Sequence, residues 1–357
     1  MQTKPIRVLI VEDSAVVRAH LARIISADPR LQVAGVAESG EEAIAMVERI
    51  APDVISMDIQ LPGMEGFEAA RRIMALRPTP IVVVSGLDVS EVGLTMKALR
   101  AGALAVVEKP VAAGHREYEA MAARLCTQLV IMSEVKVIRR RENGLDSVPR
   151  RLQASRHLPR LPAADTPVRL IAAGASTGGP NALLQLLTGL GEKFPLPIAV
   201  VQHMNPGFME GFAEWLTSVT PFSAVVVNQP IALSAATVYI APSGRHLVVE
   251  NGTAAPSDRP VVGGHRPSAN VLFSSAARSC GSATIGVLLT GMGEDGAEGL
   301  ADLHAARAWT IAEDETTAVV YGMPAAAVRR GAVSESLPLT KIAPRLLELI
   351  TARKGGA

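Results

Sequence analysis

Through the first 110 residues, short β-branched runs alternate with segments whose apolar positions recur at three- and four-residue steps. The runs at residues 6–11, 32–37, 54–57, 81–84 and 104–107 read as five strands separated by helices, the pattern of a doubly wound parallel sheet. A longer amphipathic stretch over about residues 116–140 carries Met121, Leu125, Leu129, Met132 and Val135 on one face. It predicts a closing helix that runs on past the sheet.

Between residues 141 and 166 the periodicity dissolves into Arg, Pro, Ser and Asp. A flexible coil of about 26 residues spans roughly 25–30 Å root-mean-square, enough to let two domains dock or separate. Arg150, Arg151, Arg156 and Arg160 within it read as solvated linker charge. After Pro167, strand-like runs return at 169–173, 198–202, 224–227, 238–241, 247–250 and 285–289 and predict a second α/β domain. The expected division is therefore a first domain over 1–125, a helix extension and linker over 126–166, and a second domain over 167–354.

Composition agrees with that division. A length of 357 residues suits two domains, and 48% apolar residues with 3% aromatics means cores of Val, Leu, Ile and Ala. The formal charge of +1 offers no electrostatic case for nucleic acid or an anionic membrane as main partner. No apolar run reaches the ~18 residues of a membrane span, and the first one leads into Glu12-Asp13 without a cleavage site. A soluble, cytoplasmic protein without membrane insertion is expected, with Cys126 and Cys280 as reduced thiols.

Parallel α/β sheets bind ligands beyond the carboxyl ends of their strands. In the first domain those ends carry Glu12-Asp13, Asp58, Ser85 and Lys109-Pro110. Carboxylates gathered at one edge repel one another unless a hard cation such as Mg²⁺ neutralises them. The set suits acceptance of a phosphoryl group by Asp58, with Lys109 and Mg²⁺ screening its charge and Ser85 donating to a phosphoryl oxygen. Any one of these residues alone would be an ordinary turn residue.

Val11-Glu12-Asp13-Ser14, Met57-Asp58-Ile59-Gln60-Leu61-Pro62-Gly63-Met64-Glu65-Gly66, Ser85 and Lys109-Pro110 together resemble the response-regulator receiver family. The resemblance implies a flavodoxin-like receiver domain, a metal held by Glu12, Asp13, Asp58 and the Gln60 carbonyl, and a histidine kinase as phosphodonor. Val106 departs from the family, standing where many receivers carry an aromatic switch residue.

In the second domain, three apolar runs lead to Ser176, His203 and, through Thr290-Gly-Met-Gly-Glu, Asp295. As parallel neighbours they would meet in one crevice. Gly174-Ala-Ser176-Thr-Gly178 fits G-x-S-x-G, a tight strand-to-helix turn that exposes a nucleophile while the helix start aims free N–H groups at an oxyanion. A phosphate cradle is the alternative for such a turn, although no nucleotide-binding glycine motif accompanies it. Among seven histidines, His203 is distinguished by following a buried strand at its carboxyl end. The order Ser, His, Asp differs from that of ordinary α/β-hydrolases, and triads converge on unrelated folds.

Gly174-Ala-Ser-Thr-Gly-Gly-Pro180, Gln202-His-Met204, His265-Arg-Pro-Ser268, Leu289-Thr-Gly-Met-Gly-Glu-Asp-Gly296 and Tyr321-Gly-Met-Pro324 resemble the chemotaxis protein-glutamate methylesterase (CheB) family. The resemblance implies a doubly wound α/β hydrolytic domain with Ser176 as nucleophile, His203 as base and Asp295 as its orienter. It makes the Met292 backbone an oxyanion donor and Thr177 a supporting residue. Asn270 and Asn205 depart from the family in segments away from the expected triad. The implied activity is phosphorylation-activated hydrolysis of glutamate γ-methyl esters, and deamidation of glutamines, on the cytoplasmic helices of methyl-accepting chemotaxis receptors. No cofactor is implied for the hydrolysis. A non-catalytic response regulator whose second domain binds receptor or kinase is the rival from another class, and a small-molecule esterase is a third reading.

Overall fold

The structure, a computed structural model, describes residues 4–86, 105–110, 118–133, 166–204 and 208–354. The expected helix beyond residue 133, linker residues 141–165 with their arginines, and Asn205 lie outside the described residues. The chain divides into two units, Met1–Gln153 and Ala154–Ala357.

The first unit is built on β1 (Ile6–Val11), β2 (Leu31–Ala37), β3 (Val54–Met57), β4 (Ile81–Ser85) and β5 (Ala105–Glu108). All pairings are parallel and the order is β2-β1-β3-β4-β5, the flavodoxin-like arrangement. Helices α1 (Ala15–Ala27), α2 (Gly40–Ile50), α3 (Gly66–Leu76) and α4 (Tyr118–Ser133) accompany it. Ser14 and Ser39 each stop a strand-to-helix loop by accepting a first-turn N–H, from Val17 and Glu42 respectively. Both strand faces are covered, which is why the strands read as unbroken apolar runs: β1 from Val8 to Val11 and all of β3 and β4 are buried. Val106 is half-buried and packs against this core.

The second unit carries a seven-stranded parallel sheet of order β15-β14-β13-β6-β7-β10-β8. Its strands are β6 (Leu170–Ala175), β7 (Ile198–Gln202), β8 (Ser223–Val226), β10 (Thr237–Ile240), β13 (Thr284–Leu288), β14 (Trp309–Glu313) and β15 (Glu335–Leu337). A separate antiparallel sheet joins β11 (His246–Glu250), β12 (Thr253–Ser257) and β9 (Ile231–Ala232). The helices are α5 (Gly179–Leu190), α6 (Met209–Val219), α7 (Ala269–Ser279), α8 (Ala297–Ala305), α9 (Met323–Arg329) and α10 (Leu339–Lys354). None of the described helices is long and apolar enough to cross a membrane.

Two differences from the sequence pattern have a physical cause. The run at 247–250 leaves the parallel sheet because Asn251-Gly252, both at positive φ, close a tight hairpin that pairs β11 with β12. Strands β14 and β15 extend the parallel sheet beyond β13, where the short runs at 309–313 and 335–337 lie among Ala-rich helices.

One topological feature positions chemistry in both units. In the first sheet the chain leaves β1 towards β2 and returns to its other side as β3. In the second it leaves β6 towards β7 and returns as β13. Loops diverge at such a reversal and open a crevice at the carboxyl ends. Glu12 and Asp58 flank the first reversal; Ser176 and the loop to Asp295 flank the second.

Candidate active site

At the β1/β3 crevice, Glu12 and Asp58 are buried while Asp13 is exposed, and one carboxylate oxygen from each lies within 4.8 Å of the others. Lys109 Nζ lies 2.8 Å from Asp58 Oδ2, donating to it, and 2.8 Å from Glu12 Oε2 as an ion pair. Burial works against the Lys109 charge, but the hydrogen bonds and charges of Asp58 and Glu12 outweigh it and raise its pKa. Burial pushes the Glu12 pKa up, with Lys109 opposing and the Asp58 charge adding to the rise. The other Asp58 oxygen, Oδ1, accepts from the Ile59 N–H at 2.7 Å. Lys109 N–H donates to the Ser85 carbonyl at 2.8 Å, which brings the two expected switch residues together, and Gln60 is exposed two residues beyond Asp58.

At the second crevice, β6 and β7 pair with Ala175 opposite Gln202, so Ser176 and His203 emerge side by side from adjacent strand ends. The His203 N–H donates to the Ala175 carbonyl (3.0 Å) and the Ser176 N–H to the Thr290 carbonyl (3.0 Å). The buried Gln202 amide donates to the carbonyls of both Ser176 (2.8 Å) and His203 (3.0 Å) and ties the two strand ends together. Gly291 sits so close to Ser176 that a Cβ on it would lie 2.8 Å from the serine Cβ. Among the described residues, the N–H groups of Thr177 and Met292 have no acceptor, which leaves them free to donate.

His203 and Asp295 meet directly, with Nε2 2.9 Å from Oδ2. The carboxylate also accepts from Ser268 Oγ (2.6 Å), the Ala269 N–H (2.6 Å) and the Asn270 N–H (3.3 Å). The last two open helix α7, so Asp295 occupies the anion position at a helix N-terminus. Burial pushes the Asp295 pKa up, but its donors, His203 first, then Ser268 and Ala269, hold it below the ordinary aspartate range. An ionised Asp295 only accepts, so His203 Nε2 carries the ring proton. Nδ1 is left as the basic nitrogen, and it is buried with no hydrogen-bond partner.

Asn270 differs from the expectation that it lies away from the triad. Far from standing clear of the triad, its backbone N–H reaches Asp295, while its side-chain Oδ1 accepts from the Gly299 N–H at 2.9 Å and links α7 to α8. Three further residues sit at the site that the sequence left without a role there, although His265 stands in one of its motifs. The His265 ring stacks on His203, centroids 4.2 Å apart and 3° from parallel. His246, fully buried, accepts the Ser268 N–H through Nδ1 (3.2 Å) and approaches the Pro260 carbonyl through Nε2 (3.0 Å), fixing the residue that binds Asp295. Glu313, also fully buried, ends β14 and accepts from the Thr290 N–H (2.8 Å) and Thr317 Oγ1 (3.0 Å). Burial raises its pKa.

A receiver-type acid pocket on one unit and a serine, histidine and buried aspartate at the switch point of the other define a response regulator with a hydrolase-like effector. Residues 8–117 match the response regulator receiver domain, and residues 171–346 match CheB methylesterase. The chain is 49% identical over 352 residues to protein-glutamate methylesterase/protein-glutamine glutaminase 2 of Paramagnetospirillum magneticum, covering 97% of this chain and 98% of that one. It is 44% identical over 350 residues to protein-glutamate methylesterase/protein-glutamine glutaminase 4 of Myxococcus xanthus, covering 97% of each. The crystal structure of the Thermotoga maritima CheB methylesterase catalytic domain is 35% identical, with a TM-score of 0.49, and covers 51% of this chain and 98% of that one. The chain belongs to the CheB methylesterase family, as the motifs had implied.

Proposed function

We propose that this chain is a phosphorylation-activated protein-glutamate methylesterase that hydrolyses glutamate γ-methyl esters, and deamidates particular glutamines, on the cytoplasmic helices of methyl-accepting chemotaxis receptors. The observation that carries the reading is the unpartnered, buried Nδ1 of His203 beside Ser176, on a ring whose other nitrogen is held by Asp295. Residues 1–125 form the receiver, 126–166 the helix extension and linker, and 167–354 the esterase. The enzyme works in the cytoplasm, where its receptor helices and the histidine kinase that phosphorylates it are found.

Ser176 Oγ attacks the ester carbonyl as His203 Nδ1 takes its proton, and the oxyanion is met by the Met292 and Thr177 N–H groups. The protonated imidazole then gives that proton to the departing methoxide, so methanol leaves and an acyl-serine remains. Water, deprotonated by the same nitrogen, releases glutamate and restores Ser176. Asp295 stays ionised and keeps the Nε2–H tautomer. A glutamine amide passes through a similar tetrahedral intermediate, with ammonia leaving in place of methanol, which accounts for deamidation.

The acid pocket fits Mg²⁺: its donors are hard carboxylate oxygens, and one from each of Glu12, Asp13 and Asp58 lies within 4.8 Å of the others. Glu12, Asp13, Asp58 and the Gln60 carbonyl would hold the ion, which would neutralise charge on the incoming phosphoryl group. Asp58 accepts that group, Lys109 shifts its pairing to the new phosphoryl oxygens, and Ser85 donates to one of them. The test is methanol release from a methylated receptor fragment with and without a small phosphodonor. No release leaves the non-catalytic regulator standing, and equal rates on free ester and helix favour a small-molecule esterase.

A further inference from the structure

We propose that His265 is a positioning residue for the esterase: its ring, laid flat on His203, sets the plane in which the unpartnered Nδ1 of His203 faces its proton donor. The inference rests on the reading of His203 as the base. It starts from a degree of freedom that the triad leaves open. The hydrogen bond from Nε2 to Asp295 ties down one corner of the His203 ring and leaves rotation about Cβ–Cγ as its soft freedom. Nε2 lies nearer that axis than Nδ1 does, so a modest roll swings Nδ1 while only slightly lengthening the Asp295 bond, and no hydrogen bond at Nδ1 opposes it. A parallel ring 4.2 Å away does oppose it, because every roll drives one edge of His203 into the face of His265.

The mount of His265 is firm. Val262 and His265 exchange backbone hydrogen bonds (3.1 and 2.9 Å) across a two-residue turn, so the residue leaves a closed hairpin. Three residues later the same segment delivers Ser268 to Asp295 at 2.6 Å, and the buried His246 holds the Ser268 N–H. One strap therefore clamps the base through its face and the orienter through its carboxylate. Burial and the neighbouring His203 push the His265 pKa down against the pull of Asp295, so His265 stays neutral when His203 takes a proton.

The full chain, treated with a small phosphodonor and assayed for methanol release from a methylated receptor fragment, tests this with His265→Ala, His265→Phe and His265→Leu. A base displaced by about an ångström costs about 100-fold. His265→Ala and His265→Leu are expected to lower kcat about tenfold or more with KM changed less than about twofold, and His265→Phe, which restores a flat ring, to recover most of the loss. Should the alanine variant fail to fold, the Phe and Leu pair carries the comparison. The proton of His203 Nε2–H, identified in the NMR spectrum by its loss in His203→Gln, should persist in His265→Phe and broaden in His265→Leu. Unchanged kcat in His265→Leu, a loss expressed in KM alone, or failure of His265→Phe to exceed His265→Leu overturns the proposal. Failure of the esterase reading would instead show as methanol release that survives Ser176→Ala, while the resonance reports the stack whatever the reaction.

Discussion

Replacing Asp295 by Asn separates two ways in which the carboxylate can serve His203. The native oxygens divide their donors: Oδ2 meets His203 Nε2 and the Ala269 N–H, and Oδ1 meets Ser268 Oγ and the Asn270 N–H. If the new amide keeps its oxygen at the Oδ2 position, the Ser268 hydroxyl can rotate to accept from the NH₂ group. Only the long 3.3 Å bond from Asn270 is then lost, about 1 kcal/mol. In the opposite orientation the Ala269 N–H faces a donor, a cost of about 1–3 kcal/mol, and His203 must flip its tautomer and surrender the basic Nδ1. The first arrangement wins, so the tautomer survives and what is lost is charge. An imidazolium at about 4 Å from a carboxylate gains roughly 4 kcal/mol at an effective dielectric near 20. Asp295→Asn should therefore lower kcat by about 10³-fold while retaining the Nε2–H tautomer. Methanol release and ¹⁵N spectra of His203 read the two halves. A rate within about tenfold of the parent would refute Asp295 as the orienter. An Nδ1–H tautomer would refute the orientation argument.

Asp295 has a pKa depressed in the fold, so its stabilising contribution is complete above the ordinary value of 3.8 and is lost as pH falls through the lowered value. The stability gap between the parent and Asp295→Asn should narrow below pH 3.8, and a gap that widens there counts against the depressed pKa. Asp58→Asn should abolish Mg²⁺-dependent labelling by a small phosphodonor, and retained labelling would place the acceptor elsewhere. Gly291→Ala would press its methyl against the Ser176 Cβ and the Met323 sulfur. It should cost about 1–3 kcal/mol in a denaturation experiment as well as activity, and an unchanged midpoint and rate would contradict the close packing.

The strand ends were the legible part of this chain. Asp58, Lys109, Ser176 and His203 each stand directly after a strand, so a reading of strands also locates residues at the crevice. What escaped lies where tertiary contacts outweigh local pattern. His265 and Ser268 sit in an irregular strap, and their place beside His203 and Asp295 depends on a hairpin and on His246, remote in sequence. The β11–β12 hairpin itself turns on Asn251-Gly252, a two-residue turn signal in the sequence. Glu313 was hidden for a different reason. Its strand is a five-residue run among alanines, and its carboxylate is satisfied by Thr290 and Thr317, contacts that no spacing announces.

The central claim is that Ser176 forms the acyl intermediate with His203 Nδ1 as its base. The most direct measurement is methanol release from a methylated receptor fragment by the full chain and its Ser176→Ala variant, both with phosphodonor and Mg²⁺ and both shown to be folded by their melting curves. The account predicts phosphodonor-stimulated release from the parent and background release from the variant. Release from Ser176→Ala at a rate near that of the parent would contradict it.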